Sequence, residues 1–195
     1  MVIEHTRFMQ FGLGLIALFA SLSAAAMAPI EHWQTANGAR VYYVPAPELP
    51  MVDIQVVFNA GSARDGERPG LAQFTHTLLD KGAGGLSADQ IAAQLEGVGA
   101  RLSGESLRDM ATLSLRSLSD PKYLQPALDV FAKVLARPDF NPADVDRERE
   151  RLLIGLQYAQ QQPDEVMDKA FYAALYGTHP YASPPEGTLD SLKAI

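Results

Sequence analysis

Cysteine is absent from the 195-residue sequence. A disulfide framework, a thiolate metal site, a cysteine nucleophile and a lipidated cysteine are therefore all excluded. Histidine is sparse, with 4 in the chain, so any metal would rest on these and on Asp and Glu. Positive charge is also short: 16 Lys and Arg face 23 Asp and Glu, a net charge of -7. That balance argues against general nucleic-acid binding, which needs a basic face, and against docking on anionic lipid. No G-x-G-x-x-G, P-loop or G-x-S-x-G elbow occurs, and no internal repeat is visible. What is present is globular: 47% hydrophobic and 20% charged residues, which excludes wholesale disorder.

The longest apolar run, residues 11–22 (FGLGLIALFASL), is too short to span a bilayer but suits the h-region of a signal peptide. Arg7 gives a thin positive n-region, offset by Glu4. Ala24-Ala25-Ala26 fits an A-x-A cleavage site; Ala26-Met27-Ala28 fits too, but would leave Pro29 directly after the cut. The expectation is a signal peptide over residues 1–26, cleaved after Ala26, with an uncleaved N-terminal anchor as the alternative. Export without cysteine fits a bacterial periplasm. Residues 27–195 then form the mature chain, long enough for a core and without a stable membrane span.

Along the mature chain, Asn37-Gly38 marks a turn between two β-prone runs. Residues 40–44 predict a short strand. Residues 52–58 alternate Val52, Ile54 and Val56 with Asp53 and Gln55, a half-buried strand. A polar loop over residues 59–69 leads to a helix over 70–81, closed by Gly82. Ser87 predicts the next N-cap, with Gln90 as its capping-box partner, and Gly99 ends that helix. Residues 101–106 and 110–117 predict an antiparallel pair. Asp120-Pro121 and Asn141-Pro142 each open a helix, the second running to about residue 162. Pro163 opens another, and a last helix starts at Thr188. Strands, two helices, two strands and further helices make an α+β fold with an antiparallel sheet, not a doubly wound parallel one.

The run over residues 56–72 (VVFNAGSARDGERPGLA) resembles the M16 (pitrilysin/insulinase-like) zinc peptidases. In that family a strand ends in a Gly-Ser turn, and Gly-Leu-Ala opens a helix carrying the inverted zinc motif H-x-x-E-H. Residues 147–156 resemble the helix that supplies the third zinc ligand. Tyr176-Gly177-Thr178-His179-Pro180-Tyr181, Gly187 and Leu192-Lys193-Ala194-Ile195 resemble the family's "YG-x-HPY…G…L-x-x-I" segment. The resemblance implies a sheet backed by helices in the M16 (LuxS/metallohydrolase-like) fold. It also implies that residues 27–195 are the N-terminal domain of a longer, two-domain chain.

The family's chemistry needs His at i and i+4 on one helical face, a general-base Glu between them, and a Glu from the later helix. Setting the register by Gly70-Leu71-Ala72 places Gln73 at the first His, His76 at the Glu and Thr77 at the second His. Matching Glu148 to the first Glu of the later helix places the third ligand at Gly155. All four positions are changed, so the expectation is no catalytic residue, no metal ligand and no zinc. Spacing alone assembles no site from His32, His76 and His179, and each reads first as a structural or solvated group. The resemblance thus implies a silent M16-like subunit, paired with an active M16-like peptidase subunit around an unfolded peptide. Two alternatives stand beside it: an active zinc peptidase with atypical ligands, and a stand-alone periplasmic peptide-binding or scaffold protein.

Overall fold

The computed structural model describes residues 29–195. The expected signal peptide, its cleavage site at Ala26 and any anchor lie outside the described residues. The chain divides into two units, Met1–Leu49 and Pro50–Ile195. In the first, β1 (Glu31–Gln34) and β2 (Arg40–Tyr43) pair antiparallel, with Trp33 opposite Val41. The turn between them uses Gly38 at φ 90, a conformation that glycine adopts without cost. His32 stacks on Tyr42 in this hairpin, with ring centroids 6.3 Å apart.

The second unit is built on an antiparallel sheet in the order β3–β7–β6: β3 is Met51–Phe58, β6 is Arg101–Ser106 and β7 is Ala111–Leu118. The register sets Ile54 and Leu102 on either side of Leu115. These residues share one face with Val56 and Leu113, and that face meets the helices α2 (Ala88–Gly97) and α3 (Pro121–Ala136). Ile91, Leu95, Val130, Phe131 and Val134 complete this core. The opposite face is mostly polar, with Met51, Val57 and Leu118 exposed on it. There Arg116 donates from Nε to Asp53 at 2.6 Å, and that guanidinium holds the Asp53 carboxyl below the usual range. The half-buried strand expected from alternation over residues 52–58 is thus the observed β3.

A second core joins α1 (Leu71–Leu78), α4 (Pro142–Ala159) and α6 (Leu189–Ala194) through Phe74, Leu78, Leu156 and Leu192. Between α4 and α6 lie α5 (Pro163–Tyr176) and a short 3-10 turn (Pro180–Ala182). The capping box of Ser87 and Gln90 is formed, as is the Asp120 cap on the Lys122 amide. Asn141 differs: its side chain accepts from no helix amide, and only its backbone carbonyl bonds the first turn, accepting from Asp144 and Val145. The helix expected over residues 70–81 ends at Leu78. A small hairpin follows, β4 (Gly82–Ala83) with β5 (Leu86–Ser87). Its cause is the pair Gly84-Gly85, at φ 58 and 79, which supplies the two left-handed residues of a tight type I′ turn. Among the described residues no helix is long and apolar enough to cross a membrane.

Candidate functional site

The helix α1 is positioned from both ends of the loop before it. A Cβ at Gly61 would lie 2.3 Å from the Arg108 carbonyl oxygen, so only glycine permits this approach. There the Ser62 and Ala63 amides donate to the Leu107 and Arg108 carbonyls at 2.9 and 2.8 Å. Further on, the buried carboxylate of Asp65 reaches over four residues to cap the helix. It accepts from the Gly70 and Ala72 amides, each at 2.9 Å. Burial pushes the Asp65 carboxyl above the usual range, and the amides of Ala72, Gly70 and Leu71 oppose that shift without cancelling it. Gly70 sits at φ 94 against Gly187, and Ser191 Oγ donates to the Pro69 carbonyl at 2.7 Å. The glycines of two distant sequence motifs are therefore one close contact.

Gln73, His76 and Thr77 lie half-buried on α1. His76 Nε2 is 2.9 Å from the Thr112 backbone oxygen. A carbonyl only accepts, so Nε2 carries the proton and has no lone pair for a metal. Gly104 makes room for this bond, since a Cβ there would be 2.4 Å from the Thr112 oxygen and 2.7 Å from His76 Nε2. Thr77 Oγ1 donates back to the Gln73 carbonyl at 2.9 Å. Gly155 is exposed on α4, and a Cβ built on it meets nothing within 4 Å. The packing that brings α4 to α1 runs through Leu156, beside Gly155. Glu148, earlier on α4, is buried and accepts from Arg151 Nε at 2.7 Å.

This donor set does not fit zinc. An amide and a hydroxyl are weak ligands beside imidazole, Gly155 offers none, and with Nε2 committed to the Thr112 carbonyl His76 has only Nδ1 to give, one good ligand where three are needed. Among the described residues no group of three or more His, Asp or Glu is placed to hold a metal. His179 is far from this arrangement in role: it caps the 3-10 turn, its Nδ1 accepting from the Tyr181 amide at 3.2 Å.

Sequence reasoning missed Asp65, Gly104, Arg108 and Asp109. Arg108 stacks over Tyr172 at 4.3 Å and donates to the Ser183 carbonyl at 3.1 Å, tying the β6–β7 turn to α5. Tyr181 donates its hydroxyl to Asp109 at 2.6 Å, and that carboxylate holds the phenol pKa above its usual range. The polar pair Arg108-Asp109 between two strand patterns was the available signal for the last two.

Comparison with known proteins agrees with this architecture. The chain is 40% identical to a structure described as the peptidase M16 inactive domain from Pseudomonas fluorescens, with TM-score 0.83, covering 85% of this chain and 40% of that one. A protease from Helicobacter pylori shares the fold at 19% identity and TM-score 0.78, covering 87% of this chain and 41% of that one. An uncharacterized zinc protease of Mycobacterium leprae is 27% identical over 177 residues, 90% of this chain and 39% of that protein. The chain thus spans about two fifths of the length of these relatives. The model of the insulinase family, peptidase family M16, matches residues 40–189, and the chain belongs to that family.

Proposed function

We propose that this chain is a non-catalytic subunit of a periplasmic M16-type peptidase, forming part of the wall around an unfolded peptide while a partner subunit supplies the zinc chemistry. The observation that carries the reading is the fate of the four motif positions. Gln73 and Thr77 are poor donors, Gly155 is none, and His76, held through Nε2 by the Thr112 carbonyl, is a lone imidazole. The scaffold around them is nevertheless well defined: the Gly61 approach, the Asp65 cap and the Gly70–Gly187 contact all hold α1 in place. A preserved shape with altered chemistry is expected where the chemistry comes from another chain. The similarity to a domain described as inactive supports the same reading.

The test mixes the purified protein with a candidate M16 peptidase from the same compartment that carries an intact H-x-x-E-H. Mass by light scattering and cleavage of an unfolded peptide are then measured. The expected result is a heterodimer whose zinc-dependent cleavage exceeds that of the partner alone, while this chain alone cleaves nothing. Two monomers and unchanged partner activity at micromolar concentration would support the stand-alone peptide-binding reading instead. Zinc-dependent cleavage by this chain alone would support atypical ligands.

A further inference from the structure

A cleft of about 390 Å³ opens between the C-terminal end of β3 and α1. That volume lies within the ordinary range of small-molecule pockets. Phe58 and Ala111 come from the sheet, Leu71 from α1, Leu79 from just past its end, and Leu135 from α3. The His76 ring also lines it, pinned at Nε2 to the Thr112 carbonyl.

Two charged side chains, Arg64 and Asp65, line the cleft, and they are not equivalent. Both oxygens of the Asp65 carboxylate are taken by the Gly70 and Ala72 amides. Those bonds take the Gly70 and Ala72 amides at the start of α1, and the Leu71 amide donates to the Arg68 carbonyl at 3.1 Å. Arg64 is different. Its Nε and Nη2 both donate to the neutral Asn59 Oδ1, with Nε at 2.9 Å. No ion pair among the described residues includes Arg64. A guanidinium has five N–H donors, so Nη1 has no protein partner among the described residues while Asn59 holds the group in orientation. The cleft therefore combines an apolar body with one pre-oriented cation that makes no direct ion pair among the described residues.

We propose that this cleft binds a medium-chain acyl carboxylate, its chain among Phe58, Leu71, Leu79 and Leu135 and its carboxylate on Arg64. Apolar burial supplies affinity, and the charge-assisted contact selects the headgroup. This site does not depend on the subunit reading above.

The test uses decanoate below its micelle concentration, titrated calorimetrically into the purified chain. Saturable one-to-one binding is expected. Decanol, with the same chain and no charge, is expected to bind roughly tenfold more weakly, as is decanoate to Arg64→Ala. Thr75→Trp, an exposed position of α1 beside the cleft, fills it and is expected to abolish binding. Circular dichroism verifies that both variants fold. Amide chemical shifts induced by decanoate are expected at residues 58–60, 71–79 and 135. No saturable binding at millimolar decanoate overturns the proposal. So does equal affinity in Arg64→Ala, equal affinity in Thr75→Trp, or a shift pattern lying elsewhere.

Discussion

At His76 one hydrogen bond and one glycine explain each other. The Nε2–H bond to the Thr112 carbonyl requires that residue 104 have no Cβ. Gly104→Ala is therefore expected to lower stability by about 1–3 kcal/mol through overpacking against backbone. His76→Ala removes one net hydrogen bond and is expected to cost about 1 kcal/mol. Combined, the two should cost less than their sum, because one of the two clashes has gone; denaturant unfolding of the four proteins measures this coupling. Full additivity would mean that residues 76 and 104 do not share the space assigned to them. Asp65 carries a second residue-scale prediction, with a definite sign. Burial raises its folded pKa above the unfolded value of 3.8, so the folded state binds the proton more tightly. The contribution of this proton is fully present below pH 3.8 and is lost as pH rises through the folded pKa. Asp65→Asn is expected to be less stable at pH 7 by about 1–3 kcal/mol, since one acceptor of a buried pair is replaced by a donor. As pH rises from 3.8 through the folded pKa, the slope of stability against pH should be lower in wild type than in Asp65→Asn. Equal slopes would place the Asp65 pKa at its ordinary value.

At the scale of elements, the local signals were the legible ones. Ser87 and Gln90 form the predicted box because every atom involved lies within one helical turn. The alternation in β3 and β7 marked their buried faces because strand periodicity is local as well. The hairpin from Gly82 to Ser87 was missed because its strands are two residues each, too short for any period to register. The Asp65 cap was missed because its side chain reaches Ala72, seven residues on, whereas capping rules look next to the helix. His76 was placed on the right helix, but its partner lies 36 residues away in sequence. Whether α1 and α4 still present a metal geometry is directly testable. Wild-type protein is expected to retain far less than one zinc per chain after loading and gel filtration. The quadruple variant Gln73→His, His76→Glu, Thr77→His, Gly155→Glu is expected to retain close to one. The open space around Gly155 accepts the new carboxylate, and positions 73 and 77 lie one turn apart. A folded quadruple variant without zinc would show that the register set by Gly70-Leu71-Ala72 is wrong. Peptidase activity need not return with the metal, because the groups that orient ligands are separate from the ligands themselves.

The whole molecule brings its charge to the proposed assembly. The sequence carries 23 acidic against 16 basic residues, and the polar face of the sheet holds Asp53 with Arg116 rather than a basic patch. A wall with excess negative charge attracts cations at long range and raises their local concentration in an enclosed space. Adding this chain to its proposed partner should therefore accelerate cleavage of a basic unfolded peptide more than that of an acidic peptide of equal length. The preference is expected to shrink as ionic strength rises from 0.01 to 1 M, because the screening length falls from about 30 Å to about 3 Å. Rate constants for the two peptides, measured across that salt series with and without this chain, read the effect. A basic-peptide preference that is already complete in the partner alone, or that survives 1 M salt unchanged, would assign selectivity to the partner's own contacts. The contribution of this chain would then be shape rather than field.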